Sequence, residues 1–188
     1  MKYVYKLKWY TNAPLQECRQ ETGKGPIGSI CVDTNKGDST HPEYRSIFVA
    51  QEIDAYKRED LFAATPPLEA NNLLLSMAAT RVIGWDHKWR RSMTLEFIDV
   101  SRAYVHAAAK RNIYVQLLEE DREDGMCGRL NKAMYGTSDA AQQLASEYSA
   151  CMGYIEFHRG RATPCVFHDE AHKLRVNVHG GRHHSAGV

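Results

Sequence analysis

The sequence predicts an α+β fold. Two apolar windows have helical spacing, several short runs have strand-like alternation, and turn residues set these apart in the order β-hairpin, helix, β, β, helix, β-hairpin. With 188 residues and 43% hydrophobic content, the chain can bury one ordinary core or form part of a larger domain. A formal net charge of +1 gives no global basic signature, so any polyanionic partner must be argued from local patches.

The elements follow in order. Residues 23–42 are turn-rich, with Gly-Lys-Gly-Pro, the run Ile27–Val32 and then Asn35-Lys36-Gly37-Asp38, which reads as a strand entering a hairpin turn. Tyr44–Ala50 is the return strand. Pro66-Pro67 opens a helix over Leu68–Val82, with Thr65 as its cap and Leu68, Leu75 and Ala79 on one stripe beside Leu74 and Ala78. A polar, basic stretch leads to the strand Met93–Val100, expected to be buried, and a short strand Ile113–Leu118 precedes a charged surface loop, Glu119–Asp124. Ser138 can cap a helix reaching about Met152 and ended by Gly153, with Ala141, Leu144, Tyr148 and Cys151 as its buried face. Cys165–His168 and Leu174–His179 form a closing hairpin, in which Leu174, Val176 and Val178 alternate with Arg175, Asn177 and His179.

Composition also bears on location. Five cysteines occur with no C-x-x-C pair, an odd number that suggests reduced thiols in an intracellular protein, in cytoplasm or nucleus. Met1–Tyr10 lacks a continuous apolar run and a small-residue cleavage site, so no signal peptide is read there. No window approaches the roughly 18 apolar residues of a membrane span.

Six strings, spread along the chain in one order, carry a family resemblance. They are YRSIFVAQE (44–52), DLFAATPPLEA (60–70), FIDVSRAYVHA (97–107), IYVQLLEED (113–121), CGRLNKAMYGTSDAAQ (127–142) and MGYIEFHRGRATPCVFH (152–168). Together they resemble the reverse transcriptase domain of copia-type LTR retrotransposons, encoded within a Pol polyprotein. Each string is weak by itself, and six in order make coincidence a poor explanation.

The resemblance implies the fingers and palm of a right-hand polymerase over residues 15–181, with an antiparallel palm sheet backed by helices. Residues 1–14 would be an N-terminal extension, 182–188 an out-of-frame or degenerate tail, and the thumb would be absent. It further implies RNA-directed DNA synthesis by two-metal nucleotidyl transfer, with Mg²⁺ as cofactor and template–primer and dNTPs as partners. Carried over residue by residue, Asp99 would be the catalytic carboxylate and a metal ligand, with the Val100 carbonyl adding an oxygen. Ser101 and Arg102 would meet the incoming triphosphate, and Tyr104 would lie beneath the sugar and exclude a ribose 2′-hydroxyl. Gly136 would allow backbone to approach the template–primer, and Arg45 would contact phosphate.

Departures from the family pattern are equally specific. Ile47 and Gln51 stand where arginine is usual, Asp139 where glutamine or a basic residue is common, and Ala141 and Leu144 where proline and tryptophan are frequent. The family closes its catalytic hairpin with Tyr/His-Val/Gly-Asp-Asp, whereas this chain continues His179-Gly180-Gly181-Arg182-His183-His184. Gly-Arg-His-His can be encoded by GGA CGA CAT CAC, which read one nucleotide out of frame gives Asp-Asp-Ile. A single-nucleotide frameshift inside the catalytic box is therefore hypothesised. With one of three carboxylates retained, negligible polymerase activity is expected. Two alternatives are a non-catalytic nucleic-acid-binding remnant and a poorly folded product of a degenerate reading frame.

Other residue patterns have plainer readings. Trp85, Trp89, His87, Lys88, Arg90 and Arg91 suit a nucleic-acid surface, but two tryptophans four apart equally suit core packing beside a solvated charged face. His168-Asp-Glu-Ala-His172 has its glutamate at the centre, unlike either zinc-helix motif, and falls in an expected hairpin turn. Cys127 and Cys165 are expected to pack as small apolar residues.

Overall fold

The computed structural model describes residues 8–52, 61, 63–80, 94–180 and 182–187. In chain order the elements begin β1 (Tyr10–Pro14), α1 (Leu15–Thr22), β2 (Ser29–Asn35), β3 (Tyr44–Ala50), α2 (Leu68–Ala79) and β4 (Thr94–Asp99). They continue β5 (Tyr114–Val115), β6 (Met126–Leu130), α3 (Ala140–Tyr154), β7 (His158–Arg159), β8 (Val166–Asp169), β9 (Leu174–His179) and β10 (Arg182–Gly187). The fold is mixed α+β with small antiparallel sheets, and two compact units divide it. One unit is Met1–Leu61 with Tyr104–Gln143, and the other is Phe62–Ala103 with Leu144–Val188. No helix among the described residues is long and apolar enough to cross a membrane.

In the first unit β6 is the middle strand of a three-stranded sheet ordered β1-β6-β5. Residues Tyr10–Pro14, expected within an N-terminal extension, pair with Leu130–Met126. A glycine sits inside β6 for a packing reason: a Cβ on Gly128 would lie 3.0 Å from the Tyr10 ring. Trp9, Phe48, Val105, Ile113, Val115, Leu130 and Met134 form the main core cluster, and the Trp9 indole N–H donates to the Ala133 carbonyl at 3.0 Å. The helix α1 was not evident from its polar sequence, because Cys18 is its buried residue. Gly23, at φ 69°, closes it with an N–H bond back to the Arg19 carbonyl.

The hairpin β2–β3 forms as expected, in register from Ser29–Ala50 to Asn35–Tyr44. Side-chain oxygens shape its loop: Asn35 Oδ1 accepts from the N–H groups of Gly37 and Glu43, and Asp38 Oδ1 from those of Thr40 and His41. Only its base is anchored in the core, through Phe48 and Ala50, and Cys31 and Tyr44 are exposed.

In the second unit five antiparallel strands run in the order β4-β10-β9-β8-β7. Arg182–Gly187, set aside from sequence as a tail, supplies the strand between β4 and β9. Phe167, Val176 and Val178 are buried with Tyr148, Met152 and Phe157 packed on them. The alternation expected in β9 fails at Asn177, which is 1% exposed because α2 lies over it and its side-chain amide donates to Asn71 Oδ1 at 3.0 Å.

Several helix details correct the sequence reading. Pro67, not Thr65, stands at the N-cap of α2 and makes no side-chain cap. The helix ends at Ala79, and Val82 lies outside the described residues. Leu68 and Leu75 are 69% and 49% exposed, while Leu74 is buried with Met77 and Ala78 beside it, so the packed stripe is i, i+3, i+4 counted from Leu74. In α3 the residue preceding Ala140 is Asp139 rather than Ser138, and the Gln143 N–H returns to the Asp139 carbonyl. Of the expected buried face, Leu144 and Tyr148 do face inward, Met152 continues their spacing of four, and Ala141 and Cys151 are exposed. The helix continues through Gly153, because Glu156, at φ 65°, takes the left-handed closing position and Phe157 N–H bonds the Met152 carbonyl.

Candidate functional site

The seven residues singled out from sequence divide between the units. Asp99, Val100, Ser101 and Arg102 belong to the second, and Arg45, Tyr104 and Gly136 to the first.

Asp99 is the last residue of β4. The ladder aligns Asp99 with Arg182 on β10, and Arg182 in turn with His179 on β9. The β9–β10 turn, with Gly180 at φ 49°, therefore reaches the same end of the sheet as Asp99. Residues directly opposite in such a ladder are about 4.5–5.5 Å apart at Cα. The position facing Asp99 is thus held by an arginine. Strand β4 is not buried as expected: Phe97 and Ile98 are 66% and 45% exposed, and Asp99 itself is exposed.

Beyond Asp99 the chain turns sharply. Val100 is half-buried, Ser101 and Arg102 are exposed, and Arg102 has φ 53°, a left-handed conformation that a non-glycine residue seldom adopts. Among the described residues, no group of three or more His, Cys, Asp or Glu side chains gathers as a metal shell. Two magnesium ions each need several hard oxygens, and one carboxylate at this end of the sheet does not match that requirement.

In the first unit the expected residues have structural partners of their own. Arg45 is exposed and bonded through Nε and Nη2 to Glu43 Oε1, at 3.1 and 2.9 Å. Tyr104 packs edge-on against Tyr135, with ring centres 4.4 Å apart. Gly136 has φ 82°, and a Cβ there would fall 1.9 Å from the Ala50 carbonyl oxygen. Its backbone is pressed against the end of β3, where Ala50 N–H bonds the Tyr135 carbonyl at 2.8 Å. That close approach is a sufficient reason for glycine.

A feature missed from sequence is the cluster around Arg111. Its guanidinium donates to both oxygens of Glu52 at 2.8 and 2.5 Å, and to Asp139 Oδ1 at 3.0 Å. Nε lies 2.9 Å from Asp139 Oδ2 as a charge contact without hydrogen-bond geometry. Ser138 donates its backbone N–H to Glu52 Oε2 at 2.7 Å, and Gln143 its amide to Asp139 Oδ2 at 2.5 Å. Burial works against the Glu52 carboxylate, but the donors from Arg111 and Ser138 outweigh it, and its pKa lies below the ordinary value. The bond to Glu52 raises the pKa of Arg111 in spite of burial. Asp139, unexpected beside a triphosphate path, is here the second carboxylate of a structural cluster. Its three charged members, Glu52, Arg111 and Asp139, are 28 to 87 positions apart in sequence, and no local pattern could have joined them.

The cysteines divide by burial. Cys18, Cys127 and Cys165 are buried, and Cys31 and Cys151 are exposed. Burial, with Cys18 nearby, pushes the Cys127 thiol up to about 11. Burial likewise raises Cys165. Both therefore pack as neutral thiols. The His168–His172 string spans the end of β8 and the β8–β9 turn, where the His172 ring nitrogen Nδ1 lies 2.7 Å from Asp169 Oδ2. The tryptophans at 85 and 89 and their basic neighbours lie outside the described residues. No family model, no curated protein and no solved structure matches the chain.

Proposed function

We propose that the chain is a fingers-and-palm portion of a copia-type reverse transcriptase that has lost nucleotidyl transfer. The observation that carries this reading is the alignment of Asp99, Arg182 and His179 across β4, β10 and β9. A two-metal polymerase needs carboxylates from a hairpin turn to face the carboxylate that ends a neighbouring strand. The strand arrangement here suits that layout, with Asp99 at the end of β4 and the β9–β10 turn beside it. In sequence His179 is followed by Gly180, Gly181 and Arg182, none of which carries a carboxylate to ligate Mg²⁺.

The chemical consequence follows from charge. Two magnesium ions would bring +4 to a strand end that keeps one of the three carboxylates such a site needs. Positioning of the primer hydroxyl and neutralisation of the triphosphate fail together. Any contact with template–primer would then rest on phosphate neutralisation by basic side chains and be strongly salt-dependent.

Primer extension on an RNA template with Mg²⁺ or Mn²⁺ tests the loss of activity. The expected result is no dNTP addition; addition that Asp99→Asn abolishes overturns it. Descent is tested separately by the nucleotide sequence across codons 180–184. Aspartate codons one nucleotide out of frame support it, and their absence removes the frameshift explanation.

A further inference from the structure

We propose that His158 and His168 form a two-histidine chelate for a divalent transition-metal ion of the copper, nickel and zinc class. The two residues lie directly opposite each other on β7 and β8. Their ring centres are 5.6 Å apart and the rings are inclined at 44°. That tilt is neither stacked nor edge-on, so aromatic contact alone does not set the arrangement.

The separation fits a shared ion. A metal–nitrogen bond of about 2.1 Å plus about 1.1 Å from nitrogen to ring centre gives arms of about 3.2 Å; a tetrahedral angle then puts the ring centres about 5.2 Å apart. The observed distance is a few tenths of an ångström greater, within reach of small torsional changes in side chains that are exposed (His158) and half-buried (His168). Imidazole is a borderline base that binds these ions as the neutral ring, and copper most tightly. Water would complete the shell.

The surroundings decide how rigid the pair is. Phe167, next to His168 on the chain, points to the opposite face and is 1% exposed in the core beside Tyr148. The β7–β8 hairpin is closed by Gly160 N–H to the Val166 carbonyl at 2.8 Å and by Arg159 Nε to the Pro164 carbonyl at 2.6 Å. Both histidines are therefore held in register before any ion arrives. Arg175, on β9, is the other cross-strand neighbour of His168 and opposes a cation there. A bound ion would tie the edge strand β7 to β8 and so stabilise the folded chain.

Calorimetric titration of the full chain with Cu²⁺ tests the assignment against the other seven of its nine histidines. His158→Gln and His168→Gln should each weaken the tightest site at least tenfold, and the double variant should lose little more than either single one. His172→Gln should leave that site unchanged, and Arg175→Gln should tighten it. Circular dichroism without metal verifies that the variants fold, and a copper-dependent rise in melting temperature should appear in the wild type and vanish in both single variants. An unchanged tightest site in His158→Gln, or an equal loss in His172→Gln, overturns the proposal.

Discussion

Replacing Arg111 with methionine removes a cation shared by two carboxylates that the fold keeps mostly from water. The side chains of Glu52 and Asp139 are 15% and 8% exposed, and that of Arg111 is 33% exposed. Removing one member of a fully buried pair costs about 3–5 kcal/mol, since the remaining charge stays uncompensated. Arg111 reaches solvent and the carboxylates keep the Ser138 and Gln143 donors, so the expected loss is lower, about 2–3 kcal/mol. Urea unfolding at neutral pH should show it as a midpoint lowered by roughly 1–2 M, taking a slope of about 1.5–2 kcal/mol per M. The pH dependence has a fixed sign. Because the folded pKa of Glu52 is depressed, its contribution is fully present above its unfolded value of about 4.3 and is lost as pH falls through the lower folded value. The gap between wild type and variant should therefore narrow on acidification. In a double-mutant cycle Glu52→Gln should be largely neutral in the Arg111→Met background. A loss below about 0.5 kcal/mol at neutral pH, or a gap that widens as pH falls, would refute the assignment of Arg111 as the organising charge.

Two further outcomes follow from local packing and burial. Gly136→Ala places a Cβ 1.9 Å from a backbone oxygen at φ 82°, and should lower stability by more than about 2 kcal/mol. Gly125→Ala, at φ 76° with nothing within 4 Å of the new methyl group, should cost only about 1 kcal/mol, so equal urea midpoints for the two variants would contradict the packing account. Under native conditions a thiol reagent should modify Cys31 and Cys151 quickly, and Cys18, Cys127 and Cys165 only on unfolding. Rapid reaction of five thiols, followed by mass spectrometry, would contradict that division.

What could be read in advance was local. The β2–β3 hairpin, the existence of α2 and α3, and the β8–β9 hairpin follow from turn chemistry and from spacing within a dozen residues. What could not be read depends on distant partners. Strand β6 has a glycine at its centre and no strong alternation, and it is a strand because β1 and β5 flank it. Helix α1 is polar nearly throughout and is fixed by Cys18 in the core and by Glu17 and Glu21 beside the Tyr114 hydroxyl. Spacing offered two adjacent stripes on α2, Leu68, Leu75 and Ala79 or Leu74 and Ala78, and the second is the packed one because Leu74 meets Leu95. Periodicity limits the possible faces, and the partner selects one.

The chemistry divides in the same way. The amino-acid sequence by itself determined that Asp99 ends an apolar run and that no aspartate follows His179, because residue identity fixes the supply of charged oxygens. Only the tertiary structure decided what stands opposite Asp99, since cross-strand register is a long-range property with Arg182 83 residues away (182 − 99 = 83). The same holds for Arg111 between Glu52 and Asp139, and for His158 against His168. Hydrogen bonds and metal geometry act over about 3 Å, and chain folding is what brings such residues within that range.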